Sequence, residues 1–254
     1  MDGATVTVPA PGNAVAMIVD RRDGAGTTLL VETSADGSVS VSTGAEASAA
    51  GTATESSPAK CDDPAYSLLN GAKWHGAYEW RFRQSTTPDE LSRIKARAAL
   101  RASVDTITDA RNACGAADTV SATNRYRGTT RAASNVTAEP ACVASPGNQN
   151  VTEFGPIGGS GVLAVTCVYT TPGTIWHADV RLNTNFEWWV SGACDDAIAL
   201  KSVATHEYGH ALSAGDVDDG SHRNLTMSAG LNESCSNFEA TLGKGDLRAL
   251  NALY

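Results

Sequence analysis

The strongest constraint on the fold of this chain is a pair of histidines separated by three residues. His206 and His210 enclose Glu207 in the segment H-E-Y-G-H. On an α-helix, residues four positions apart differ by about 400° of rotation, so both imidazoles would leave the same face, one turn apart. The acidic pair at positions 195 and 196 predicts the N-terminal cap of this helix, which we expect to reach about Leu212.

Two imidazoles on one helix face can hold a single Zn²⁺ at about 2.0–2.1 Å. Glu207 is not needed as a ligand, and its carboxylate can take a proton from a metal-activated water and pass it to a leaving group. The alternative is a chance pattern on a surface helix. The chain has only 5 histidines, and composition alone gives this pattern on the order of once in a few hundred such chains. We therefore predict zinc on His206 and His210, with Glu207 as general base.

A catalytic zinc needs a third protein ligand and one open position. Asp216 follows Gly215, where a break in the helix would turn the chain back under the metal. His222 has the better ligand type but lies farther along the chain. Both residues therefore stay open as the third ligand. Other carboxylates downstream are less well placed, in turns or a loop: Asp218, Asp219 and Glu233.

Longer motifs around the histidines resemble a known family. Residues 206–216 resemble the metzincin motif H-E-x-x-H-x-x-G-x-x-H/D, and residues 224–228 resemble the Met-turn that follows it. Residues 202–207 and 242–247 resemble segments of actinobacterial matrixin-type proteases. An aspartate as third ligand is similar to snapalysin-type small neutral proteases. The resemblance runs from about Cys61 to Tyr254.

This resemblance implies a secreted zinc-dependent endopeptidase that hydrolyses internal peptide bonds. His206, His210 and Asp216 would bind the metal, and Glu207 would act as the general base. Met227 would lie beneath the metal as an apolar support without binding it. The resemblance also allows structural calcium as a further cation.

The fold that the resemblance implies is α+β: a twisted mixed sheet with a long helix and a zinc-binding helix, spanning residues 60–254. Residues 1–42 form a β-rich N-terminal segment and a candidate pro-region, and residues 43–59 read as a Gly/Ala/Ser/Thr linker. A capping box at residues 87–90 predicts the start of the long helix. The apolar run Val162–Tyr169 predicts a strand whose edge would receive a peptide as an added strand.

Two positions depart from the family motif. Ser213 stands where the motif has a glycine with positive φ, which costs about 1 kcal/mol, unless Gly215 takes over the turn. Asp216 stands where matrixins have histidine. These departures support a second hypothesis, a catalytically impaired metzincin-fold protein that serves in binding.

Charge and hydropathy limit the partners. The net charge of −9 disfavours a nucleic-acid-binding face. No run of about 18 apolar residues is present, so we expect no membrane span. We expect a monomer that acts on protein or peptide substrates.

Six cysteines without a C-x-x-C pair predict three disulfides in an oxidising compartment. We favour a bond between Cys194 and Cys235, because they bracket the histidine helix. No signal peptide is visible at the start of the chain, so secretion is inferred from the cysteines and the chemistry. His177 has no evident partner ligands and reads as a surface residue.

Overall fold

A computed structural model describes residues 4–24, 26–45, 57–143, 147–230 and 234–254. Residues 46–56 of the predicted linker and the candidate ligand Glu233 lie outside this part of the chain. Within it, the strands are β1 (Thr5–Val6), β2 (Asn13–Arg21), β3 (Thr27–Thr33), β4 (Val39–Ala45), β5 (Ser67–Leu68), β6 (Tyr78–Phe82), β7 (Asn124–Thr129), β8 (Ala141–Cys142), β9 (Asn150–Gly155), β10 (Val162–Thr171), β11 (Thr174–Asn183), β12 (Trp188–Trp189), β13 (Ile198–Ala199) and β14 (Ala214–Gly215).

The α-helices are α1 (Arg93–Thr108), α2 (Leu200–Ala211), α3 (Asp219–His222) and α4 (Lys244–Leu253). Two 3₁₀ turns cover Gln84–Thr86 and Phe238–Ala240. None of the helices in the described residues is long and apolar enough to cross a bilayer.

Eight strands form one mixed sheet in the order β4-β3-β2-β10-β11-β9-β6-β7. The strands from β4 to β11 pair antiparallel, whereas the β11–β9, β9–β6 and β6–β7 pairs are parallel. The predicted α+β class is confirmed at this level.

Helices α1 and α2 contact each other and cover one face of the sheet. Ile18 of β2, Leu100 of α1 and Val203 of α2 are buried in the same apolar cluster. Side chains alternate along a strand, so the neighbours of Ile18 point to the opposite face. There Met17 joins Tyr169 in a second cluster. The sheet thus has apolar side chains packed on both faces.

The predicted start of the long helix is wrong. Thr87 donates its hydroxyl to the carbonyl of Gln84, and residues 88–91 form a turn in which the Leu91 N–H donates to the Pro88 carbonyl. The helix begins at Arg93 instead, and the Ser92 hydroxyl accepts from the backbone N–H of Lys95.

The N-terminal strands β2, β3 and β4 belong to the large sheet, whereas β1 pairs with β8 in a separate two-stranded sheet. β2 lies between β3 and β10 and pairs antiparallel with each. β4 extends to Ala45, so residues 43–45 of the predicted linker lie in a strand. The predicted strand Val162–Tyr169 is part of β10, but its expected free edge is covered by β2.

All six cysteines are paired, as predicted. The disulfides join Cys61 to Cys114, Cys142 to Cys167, and Cys194 to Cys235. The favoured Cys194–Cys235 pairing is confirmed. This bond ties the loop before α2 to the segment before the second 3₁₀ turn.

Replacing both Cys194 and Cys235 with serine should lower the free energy of unfolding by about 4 kcal/mol, because the disulfide closes a loop with a sequence separation of 41 residues. Urea unfolding followed by fluorescence measures this loss against the oxidised wild type. A loss below about 1 kcal/mol would mean that this bond does not constrain the unfolded chain.

Candidate metal centre

Helix α2 carries the predicted histidine pair, and both side chains are buried. The helix does not start from the predicted acidic cap. Its N-cap residue is Ala199, at the end of β13, and it has no side-chain capping bond. Asp196 has positive φ and forms an ion pair with Arg22 at 2.9 Å instead. The position of α2 therefore follows from tertiary packing rather than from a local cap.

Four buried side chains converge at the C-terminal half of α2. The Nε2 atoms of His206 and His210 lie 2.9 Å apart, and Asp216 Oδ1 lies 3.2 Å from each. Asp20, from β2, places Oδ1 3.2 Å from His206 Nε2 and Oδ2 3.5 Å from His210 Nε2. One ligand atom from each of the four residues lies within 4.8 Å of all the others.

The backbone determines which ring nitrogen of each histidine faces the cluster. His206 Nδ1 lies 2.8 Å from the carbonyl of Thr226, and His210 Nδ1 lies 3.0 Å from that of Ala214. A carbonyl only accepts hydrogen bonds, so both Nδ1 atoms donate. In the neutral rings the Nε2 lone pairs then point into the cluster, as metal-binding histidines require.

Burial disfavours charge on every member of the cluster, yet the carboxylates and the imidazoles favour each other's ionised forms. The two carboxylates outweigh burial and raise the pKa of His206 well above its ordinary value, and that of His210 to about 10. The imidazoles in turn lower the pKa values of Asp20 and Asp216 against the effect of burial. The site therefore requires positive charge between the two carboxylates.

The short distance between the two imidazoles favours a cation over protons as the source of that charge. Two protonated imidazoles with their Nε2 atoms 2.9 Å apart would bring two positive charges and two N–H groups against each other. A single cation between the rings avoids this repulsion and faces the carboxylates of both Asp20 and Asp216. Within the described residues, no hydrogen bond reaches the carboxylate oxygens of either residue. A divalent cation would satisfy all four.

The spacing also fits a tetrahedral ion. Ligand atoms at about 2.0–2.1 Å from a tetrahedral zinc lie about 3.3 Å from one another. The separations that involve a histidine range from 2.9 to 3.5 Å. The donor set of two imidazoles and two carboxylates could therefore bind a metal ion.

Glu207 lies beside the cluster and is buried. Its Oε2 accepts a hydrogen bond from the Thr166 hydroxyl on β10. Its Oε1 has no hydrogen-bond partner among the described residues. Burial and the charge of Asp20 raise the pKa of Glu207 well above its ordinary value. A small cavity of about 20 Å³, which has room for about one water molecule, adjoins Glu207 and His206.

A scan of the chain against models of known protein families gives no match, and neither does a search among curated proteins. The likeness to metzincins therefore rests on the motif residues themselves.

The turn at residues 224–228 supports α2 from below. A β-carbon on Gly209 would collide with the Met227 sulfur, so glycine there lets Met227 lie directly against the helix. The carboxylate of Asp246, on α4, accepts from the backbone N–H groups of Thr226 and Met227 at 2.9 and 3.0 Å. Because the Thr226 carbonyl orients His206, Asp246 indirectly holds that ring.

The structure brings together His206, His210, Asp216 and Glu207, but not His222. His222 Nδ1 instead lies 3.0 Å from the carboxylate of Asp63. Asp218 caps the short helix α3 by accepting from a backbone N–H. Neither belongs to the cluster.

The prediction that His177 is a surface residue is wrong. Its ring is buried, and Nε2 lies 3.0 Å from Asp179 Oδ2. Asn135 also donates to this carboxylate, and the Val151 N–H donates to its other oxygen. This buried pair ties β11 to β9 and the loop before β8.

Asp20 was missing from the sequence-based prediction. It lies in the N-terminal segment, remote from the histidine motif. A signal does exist in β2: Ala16 and Ile18 occupy alternate, inward positions, and Asp20 is the next in that series. A carboxylate on the buried face of an apolar strand requires a partner.

The sequence assigns Asp246 no role beyond its place in residues 242–247, which resemble a segment of matrixin-type proteases. Its signal is local, because an acid three residues after Gly243 is placed to cap a helix. Its carboxylate accepts from the Gly243 N–H at 2.6 Å.

The positive φ predicted at Ser213 is present, at 73°. The alternative, that Gly215 takes over the turn, is wrong, since Gly215 is not among the positive-φ residues. Gly215 instead permits close pairing with β5: a β-carbon there would lie 2.7 Å from Ser67 Oγ. Ser213 itself therefore turns the chain toward Asp216.

Replacing Ser213 with glycine should raise the free energy of unfolding by up to about 1 kcal/mol, because it removes a β-carbon from a left-handed backbone position. Ser213→Ala is the matched control, since it keeps the β-carbon and should give no gain. Thermal and urea unfolding measure both. A glycine variant no more stable than the alanine variant would contradict strain at this turn.

Proposed function

We propose that this chain is a secreted zinc-dependent endopeptidase that hydrolyses internal peptide bonds of proteins. His206, His210 and Asp216 hold the zinc, and Glu207 is the general base. The observation that carries the proposal is the convergence of these three buried metal-binding groups beside an oriented glutamate. The motif resemblance to metzincins supports the same assignment.

The residues divide the chemistry between them. Bound zinc would supply the Lewis acidity that polarises a carbonyl and lowers the pKa of water towards about 7. Thr166 holds Glu207 Oε2, which leaves Oε1 to take the proton from the attacking water. Glu207 then delivers that proton to the amine as the peptide C–N bond breaks. The adjoining cavity has room for about one water molecule beside His206 and Glu207.

Three disulfides support the secreted location, because such bonds persist in oxidising compartments. The first disulfide joins the segment before β5 to the loop after α1, and the second joins β8 to β10. The third joins the loop before α2 to the segment that follows the Met227 turn. Three cross-links of this kind are compatible with a protein that acts in an oxidising extracellular environment.

One observation favours a second candidate function. Structural zinc sites have four protein ligands, whereas catalytic sites keep one position open. Asp20 supplies a fourth candidate ligand here. The alternative is therefore a metal-binding protein with this fold that does no catalysis.

The metal assignment predicts one tightly held zinc per chain. His206→Ala and His210→Ala should each abolish stoichiometric zinc, because they remove a buried ligand. His222→Ala is the matched control, since His222 pairs with Asp63 outside the cluster, and it should keep the metal. Mass-spectrometric metal analysis after zinc loading and gel filtration measures the content. Zinc retained by a His206→Ala/His210→Ala double variant would place the metal elsewhere.

The catalytic assignment is best tested in an Asp20→Ala background, which opens the fourth position. We expect casein hydrolysis that a chelator stops and added zinc restores. Introducing Glu207→Gln should lower this rate by about 10²–10⁴-fold with zinc content unchanged, because only the base is lost. Zinc-loaded Asp20→Ala protein that hydrolyses no protein substrate would favour the binding alternative.

A further inference from the structure

Strand β2 occupies the edge of β10, where an extended peptide could pair. Along β10, Val165 lies opposite Val19 and Ala164 lies opposite Asp20, in an antiparallel register. A peptide bound by strand addition uses such an edge for its main-chain hydrogen bonds. Strand β2 of the same chain thus occupies the position that a peptide paired with β10 would take.

Asp20 connects this strand to the metal cluster. The register between β2 and β10 shifts between Val162 and Ala164, opposite Arg21 and Asp20. Irregularities of this kind re-aim side chains. The Asp20 carboxylate bridges both imidazoles, with one oxygen 3.2 Å from His206 Nε2 and the other 3.5 Å from His210 Nε2.

The two contacts would block the site in different ways. With Asp20 as fourth ligand, a tetrahedral ion has no position left for water or a carbonyl. With β2 on β10, a substrate has no strand edge beside Glu207. Asp20 is buried, and among the described residues its carboxylate faces His206, His210 and Glu207 of this site. Its only evident function in the fold is therefore at this cluster.

We propose that β2 holds the site in a latent state: Asp20 fills the fourth coordination position, and the strand covers the peptide-binding edge of β10. Activation then requires β2 to separate from that edge, which Asp20→Ala favours because it removes the side chain that ties the strand to the metal cluster. This inference rests on the proposed endopeptidase function. It adds that the N-terminal strand is an internal inhibitor that occupies both the metal and the substrate edge.

The ligand role of Asp20 is tested with cobalt in place of zinc and acetohydroxamate as a small probe of the open position. The probe's visible absorption titration gives its affinity without any measurement of hydrolysis. Asp20→Ala and the nearly isosteric Asp20→Asn should bind acetohydroxamate at least about tenfold more tightly than the wild type, because Asp20 no longer competes. Asp36→Ala, in the exposed turn between β3 and β4, is the control and should match the wild type.

The strand's role is tested by locking it in place. Ala16 and Val168 lie opposite each other on β2 and β10, at a spacing that a disulfide can bridge. In the Asp20→Ala background, Ala16→Cys with Val168→Cys should leave acetohydroxamate affinity unchanged and lower casein hydrolysis at least about tenfold. Ala16→Cys alone cannot form the lock and is the control.

The outcomes separate the two parts of the account. Equal acetohydroxamate affinity in wild type and both Asp20 variants would overturn the ligand role of Asp20. Casein hydrolysis by the locked protein at the rate of its single-cysteine control would overturn the strand's role. Tight probe binding by Asp20→Ala without hydrolysis in any form would support Asp20 as a ligand while contradicting the endopeptidase function itself.

Discussion

The meeting of four lone-pair donors in a buried space is the constraint on which the rest of this structure depends. The Nε2 atoms of His206 and His210 lie 2.9 Å apart and 3.2–3.5 Å from carboxylate oxygens of Asp216 and Asp20. Without positive charge between them, buried carboxylates would repel each other and lack hydrogen bonds. A divalent cation resolves this conflict for all four groups at once. The proposed chemistry of Glu207 has meaning only beside such an ion.

Residues around the cluster fix the orientation of the two imidazoles and the position of Asp216. The Thr226 carbonyl orients His206, and Asp246 holds Thr226 through its backbone N–H. The strained turn at Ser213 brings Asp216 back to the end of α2. Each support comes from a different element, so the ligand positions are determined by tertiary structure rather than by α2 alone. Partners of this kind commonly orient metal-binding histidines.

The sequence predicted those residues of the site whose relative positions depend only on the geometry of one helix. The spacing of His206, Glu207 and His210 sufficed because a helix alone places both rings on one face. The sequence could not choose between Asp216 and His222, since the choice depends on how the chain turns after α2. Asp20 could not be assigned because its position depends on the pairing of β2 with β10, a contact between distant parts of the chain. The predicted helix caps failed because residues 88–91 form a separate turn before α1 and Asp196 forms an ion pair with Arg22 from a distant strand end.

The most direct test of the central claim is a zinc-edge anomalous diffraction map from crystals of the zinc-loaded full chain. We expect a single strong peak surrounded by His206 Nε2, His210 Nε2 and oxygens of Asp216 and Asp20. A zinc peak elsewhere in the molecule, or no peak from crystals grown in saturating zinc, would contradict it.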